Sequence, residues 1–134
     1  SFRIEKRKEI LYIYDRIRKK MLKLTPEEWV RQHTIEFLLN EFNAAPGRMK
    51  QEHPVGSTRA DIVYYDHHLK PVLIIECKAP HVHLDEDTLC QLSKYCNQLQ
   101  PDYLMMTNGL QHFHAKASLP LKFKEGFPNI GSPK

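Results

Sequence analysis

A chain of 134 residues, 41% hydrophobic and 27% charged, builds one domain with a real core and has no room for a second independent one. No apolar run is long enough for a bilayer-spanning helix, no secretory signal pattern is present, and Cys77, Cys90 and Cys96 lack any disulfide-framework spacing, so reduced thiols, no membrane and a cytoplasmic setting are expected. The formal net charge of +4 is uneven: Arg3, Lys6, Arg7, Lys8, Arg16, Arg18, Lys19, Lys20 and Lys23 face only Glu5, Glu9 and Asp15 in residues 1–24, a cluster suited to a polyanion, with Lys19 and Lys20 as expected nucleic-acid contacts.

Residues 10–14, ILYIY, are β-branched and aromatic and read as a strand, paired with residues 3–8 or with residues 20–24. Thr25, Pro26 and Glu28 form a helix start, with a capping hydroxyl, proline at the first helical position and a glutamate three residues after the cap. The helix runs over residues 26–43, with Trp29, Val30, His33, Phe37 and Leu38 at helical spacing, and AAPG at 44–47 ends it. Glu28, Gln32 and Glu36 step by four and share a face beside that stripe, which on spacing alone is an ordinary solvated face.

Residues 49–55 read as the first strand of the main sheet, with Glu52 and His53 near its end and Gly56-Ser57 turning the chain. Two apolar β-type runs follow, 62–65 and 72–75, separated by the turn DHHLKP and each flanked by ionisable residues: Asp61 at the first, Glu76 and Lys78 at the second. A turn centred near His68 makes them an antiparallel hairpin and puts Asp61 opposite Ile75 or Glu76. Strand alternation projects Glu76 and Lys78 from one face and Cys77 from the other. The bland reading is an exposed Glu76–Lys78 ion pair where a strand surfaces. The sharper one is a site in which Lys78 neutralises one carboxylate, or a hard divalent cation neutralises both.

Residues 85–99 read as a second helix capped by Asp85 or Asp87, with Leu89, Leu92, Cys96 and Leu99 apolar and with Gln91 and Tyr95, four apart, on a face of their own. Pro101 breaks it, residues 103–107 form a buried strand, and Asn108-Gly109 signals a two-residue hairpin returning through residues 111–115. The strand, helix, strand order over 72–78, 85–99 and 103–107 is a crossover unit that makes those strands parallel neighbours. The core spans about residues 25–116 of a single domain, and the Pro- and Lys-rich residues 118–134 read as a loosely packed tail.

With Asp61, then Glu76-Cys77-Lys78, then Gln91-Leu92-Ser93-Lys94-Tyr95, the chain resembles the PD-(D/E)xK nuclease superfamily, and more narrowly the N-terminal endonuclease domain of type I restriction enzyme R subunits. TPEEWVRQ at 25–32, Arg59-Ala60-Asp61 and Thr107-Asn108-Gly109 carry the narrower likeness. The resemblance implies an α/β fold, a restriction-endonuclease-like mixed sheet flanked by helices (αβββαβ), here with an added N-terminal β segment. It implies a Mg²⁺- or Mn²⁺-dependent endonuclease acting on DNA, with a motor or specificity partner. Asp61, Glu76 and the Cys77 carbonyl would hold the metal, Lys78 would position or activate a water, Gln91 and Tyr95 would orient phosphate or lysine, and Arg59 would touch the DNA backbone. Many relatives carry a metal-facing glutamate on the first helix. Counting back gives Gln32, with Glu28 and Glu36 one turn either side, and Ala60 stands where relatives have proline.

Two rivals remain. His81, His83, Cys90 and Cys96 invite zinc but lack the short cysteine spacing of structural sites. A catalytically inactive nuclease-fold module that binds nucleic acid or a protein partner is the serious alternative. No G-x-x-x-x-G-K-[ST] is present, so no nucleotide-driven motor is encoded in this chain.

Overall fold

The computed structural model describes residues 2–130, which form two sheets and two α-helices. The β-branched run at residues 10–14 makes β2 (Ile10–Asp15) the central strand of an antiparallel three-stranded sheet, between β1 (Ile4–Arg7) and β3 (Lys20–Lys23). Both pairings left open by the sequence form: Ile13 faces Ile4 on one side and Leu22 on the other.

Helix α1 (Pro26–Asn40) starts as its sequence dictates, the Thr25 hydroxyl accepting a 3.0 Å hydrogen bond from the Glu28 amide. It ends three residues earlier than the apolar spacing suggests. Asn43 adopts φ +55° and the Ala44 amide returns to the Leu38 carbonyl at 2.9 Å, satisfying an orphan acceptor of the last turn.

The main sheet has six strands in the order β4 (Met49–Val55), β5 (Thr58–Tyr65), β6 (Pro71–Cys77), β7 (Tyr103–Thr107), β8 (His112–Lys116) and β9 (Lys124–Glu125). Only β6 and β7 are parallel, joined by the crossover that contains α2 (Glu86–Cys90). The sheet is buried on both faces. Ile62, Tyr64, Leu73, Ile75 and Met105 pack with Val30, Ile35 and Leu38 of α1, while Val63, Ile74, Leu104 and Met106 pack on the other side with Leu89, Leu92 and Tyr95.

Three connections depart from expectation. The segment read as a tail adds β9 to the sheet and lays Phe127 on one core face and Leu121 and Phe123 on the other; residues 131–134 lie outside the described residues. The Asn108-Gly109 turn spans residues 108–111 instead of two, because the buried Asn108 side chain accepts from the Leu110 and Gln111 amides while donating to the Val82 carbonyl at 2.9 Å. Gly109 sits there at φ +88°, and a Cβ would come 3.3 Å from a Val30 methyl. Gly109→Ala should therefore lower stability by about 1–3 kcal/mol, read from the urea midpoint.

The third departure is the second helix. It is α-helical only to Cys90 and continues as a 3-10 segment over Gln91–Tyr95. The buried residues there, Leu89, Leu92 and Tyr95, are spaced by three, and a 3-10 helix with three residues per turn stacks them on one side, facing the sheet.

Candidate active site

The β5–β6 ladder pairs Ile62 with Ile75, Val63 with Ile74 and Tyr64 with Leu73. One step further in that register sets Asp61 against Glu76, where the sheet opens. Asp61 Oδ2 accepts from the Cys77 amide at 2.7 Å, which ties the first carboxylate across to the second strand. Burial, and then the Asp61 charge beside it, push the Glu76 pKa up to about 7, although the Tyr95 hydroxyl donates a hydrogen bond to Glu76 and works the other way. Burial and the neighbouring Glu76 keep the Tyr95 phenol protonated, its pKa well above the ordinary tyrosine value. The same hydroxyl lies 3.3 Å from the Arg59 carbonyl.

Tyr95 meets Glu76 as its place in the sequence led one to expect, but Gln91 does not accompany it. Two residues four positions apart, nearly aligned on an α-helix, lie about 120° apart on a 3-10 helix. Tyr95 therefore turns inward with Leu92 while Gln91 is exposed. The lysine whose charge reaches Glu76 is Lys94, which also lies over the Tyr95 ring at 5.1 Å. Lys78 forms no ion pair with Asp61 or Glu76 among the described residues, and its charge is felt at Glu27, which also feels Asp61. Its amide donates to the Thr107 carbonyl at 2.8 Å, fixing the chain just past β6.

The helix face carrying Glu28, Gln32 and Glu36 is buried at Glu28 and Gln32 and only partly exposed at Glu36. Glu28 and Gln32 are 7% and 2% exposed, because the N-terminal sheet covers them. Gln32 Nε2 donates to Glu28 at 2.9 Å and to the fully buried Asp15 at 3.3 Å, and Glu36 binds Arg16 at 3.0 Å. Gln32 and Glu36 thus reach the extension, through Asp15 and Arg16, while Glu28 pairs with Arg31, which in turn lies 3.8 Å from Asp61. The helix acid that senses the site is Glu27, whose pKa is raised by burial and then by Asp61.

Between the two groups stands Arg31. Its guanidinium is buried, 3.2 Å from Glu28, 3.5 Å from Glu52 and 3.8 Å from Asp61, and its Nε and Nη1 have no hydrogen-bond partner. Burial lowers its pKa, but Glu28 and then Asp61 more than offset this. Glu52 is presented by a kink in β4, where its φ of +48° interrupts the ladder between Gln51↔Ile62 and His53↔Ala60. Arg59, Lys19 and Lys20 are exposed and form no ion pair among the described residues.

The model of the family described as type I restriction enzyme R protein N terminus matches residues 26–127. The chain belongs to that family. No curated protein and no solved structure matches it. Membership in the restriction enzyme R N-terminal family points to a nuclease-related role, and the match takes in every strand-end residue of the site while leaving out the N-terminal sheet.

Spacing alone missed Glu27, Arg31 and Lys94. Glu27 was legible in principle as an acid in the first turn of the helix. Arg31 carried no signal, because nothing local says that a basic residue beside a polar stripe will be buried.

The donor set suits a hard cation. Among the described residues no cluster of three or more His, Cys, Asp or Glu is arranged to hold a metal. Asp61 and Glu76 nevertheless supply two carboxylates at one place, and Mg²⁺ commonly takes one or two along with waters. Cys77 offers only its carbonyl. Its thiol is buried in the core, and burial raises its pKa well above the ordinary value, so it stays protonated.

Proposed function

We propose that this protein is a Mg²⁺- or Mn²⁺-dependent endonuclease of restriction or repair type that cleaves DNA within a single domain. The observation that carries the reading is the meeting of Asp61 and Glu76 across β5 and β6, close enough that their repulsion helps raise the Glu76 pKa to about 7. Carboxylates crowded this way need a cation or a proton between them. The chain order α1, β4, β5, β6, α2, β7 supports the αβββαβ core of restriction-endonuclease-like folds.

In this reading Asp61, Glu76 and the Cys77 carbonyl hold the ion, with Glu27 at its margin. The bound ion would lower the pKa of a water and counter charge on the scissile phosphate. Lys78 orients that water and stabilises developing negative charge. Tyr95 holds Glu76 in place by its hydroxyl. Gln91, being exposed, is left to the substrate's phosphates, as are Arg59, Lys19 and Lys20. A cytoplasmic setting is supported by three free thiols, and a motor or specificity partner completes the proposal.

Glu76 must ionise to take the ion, so Mg²⁺ affinity measured by calorimetry should rise with pH up to about 7 and level off above it. Without metal the sign for stability is opposite. An acid whose folded pKa is raised from 4.5 to about 7 holds more protons folded than unfolded between those values, so stability falls as pH rises through that window. Glu76→Gln should remove that slope.

The reading is tested by incubating plasmid, linear duplex and single-stranded DNA with Mg²⁺ or Mn²⁺. Cleavage that stops with chelator is expected. No cleavage of any substrate overturns the enzyme and leaves the non-catalytic nucleic-acid-binding module, which one observation favours: Arg31 already stands 3.8 Å from Asp61 as a built-in countercharge.

A further inference from the structure

We propose that the outer face of the N-terminal sheet is a binding platform for single-stranded DNA, feeding a strand toward the Asp61–Glu76 site. The inference rests on the DNA-directed reading above but concerns residues that the family match does not cover. Residues 1–24 carry nine Lys and Arg against three acids, a net +6; the remaining residues carry 11 against 13, a net −2. The whole positive balance of the protein therefore resides in the extension.

Its distribution over the two faces is specific. Ile13 and Asp15 of β2 are fully buried on the inner face, where Asp15 meets Gln32 of α1. The alternate residues Tyr12 and Tyr14 lie on the outer face, half-buried and outside both core clusters. The Arg3 guanidinium lies over Tyr14 at 5.3 Å and that of Arg7 over Tyr12 at 5.4 Å. Lys23 stands directly across from Tyr12, and Glu5 bridges Arg3 and Arg7 at 3.6 and 3.4 Å. Two tyrosine rings, spaced two residues apart along one strand and each covered by a guanidinium, match a polyanion whose bases are exposed: the guanidiniums turn to the phosphates and leave the rings to stack on bases of any identity.

Ion pairs link the platform to the site. From Tyr14 the chain enters the turn that bears the exposed Lys19, with the exposed Lys20 opening β3, and Arg18 in that turn binds Glu52 at 3.1 Å. Glu52 meets Arg31, which meets Asp61.

The test is fluorescence anisotropy of labelled oligothymidine with the full chain in chelator, so that no cleavage occurs. Tyr12→Ser/Tyr14→Ser should weaken binding by about tenfold or more, while Tyr12→Phe/Tyr14→Phe binds like the parent. Arg3→Glu/Arg7→Glu, at exposed positions, should weaken binding and lower the salt slope by about 0.7 for each phosphate no longer neutralised, with the fold checked by circular dichroism. Parent-like affinity in both the serine and the glutamate variants overturns the platform, as does tighter binding of a duplex of the same length. The two readings fail separately. A parent that cleaves DNA while these variants bind normally defeats the platform alone. Weakened binding in the variants of a parent that cleaves nothing sustains the platform and defeats the nuclease.

Discussion

Asp61→Ala should flatten the Mg²⁺ binding isotherm and abolish DNA cleavage, whereas Lys78→Ala should leave Mg²⁺ affinity near the parent's and lower the cleavage rate by about 10²–10³-fold, the usual effect of deleting one preorganised donor to developing charge. The difference follows from position. Asp61 lies opposite Glu76 and is locked to β6 through the Cys77 amide at 2.7 Å, so in the proposed reading its carboxylate belongs to the donor set and its loss leaves one acid of the pair. Lys78 lies one residue beyond β6, anchored through its own amide to Thr107, with its charge felt at Glu27. In the proposed mechanism it contributes charge to the reaction and none to holding the ion. Asp61→Ala also removes the like charge that helps raise Glu76, so the remaining carboxyl should titrate nearer its ordinary value, visible by carbon NMR of the Glu76 side chain. Unchanged metal affinity in Asp61→Ala would rule out its assignment as a ligand. A Lys78→Ala enzyme cleaving at the parent rate would remove Lys78 from the mechanism.

The main sheet was legible because its signals are local and redundant. The apolar runs at 62–65 and 72–75 sit either side of a turn whose Asp66 side chain accepts from the His68 and Lys70 amides, and such a turn fixes register. Counting from the turn left Asp61 opposite Ile75 or Glu76, and the register shift between Tyr64 and Tyr65 decides for Glu76. The crossover to β7 followed from element order alone.

What failed depended on partners distant in sequence. On spacing alone Glu28, Gln32 and Glu36 describe a solvated stripe, and any helix in isolation would wet it. A separate sheet, built from residues before the helix, lies over it and supplies Asp15 and Arg16 as partners. With that face taken, the helix presents Glu27 and Arg31 to the strand ends instead. The departure at Gln91 has a similar root. Leu89, Leu92 and Tyr95 must all reach the sheet, and the spacing of three overrides the α-helical period on which the pairing of Gln91 with Tyr95 was counted.

The buried polar layer under the N-terminal sheet makes Asp15 the residue whose loss should hurt stability most, and Asp15→Ala is expected to lower it by about 3–5 kcal/mol, the range for removing one partner of a buried ion pair. Asp15 is fully buried and accepts five hydrogen bonds, from the amides of Ile17 and Arg18, the Arg18 guanidinium, and the Gln32 and Gln51 side chains. Alanine leaves Arg18 without its 2.8 Å partner, with only Glu52 still beside it, and leaves the two partly buried amides without their acceptor. Against a total of roughly 5–15 kcal/mol for a domain, such a loss moves the urea midpoint far. Acid supplies an internal control. Burial alone would raise the Asp15 pKa, but the hydrogen bonds and charge of Arg18, with Gln51, more than offset it and leave it below the ordinary 3.8. A depressed carboxyl contributes stability that is fully present above pH 3.8 and lost as pH falls through the folded value. The gap between parent and Asp15→Ala should therefore hold steady from neutral pH down to about that point and narrow below it. A gap under about 1 kcal/mol at neutral pH would place Asp15 among ordinary surface acids and show the network to be dispensable.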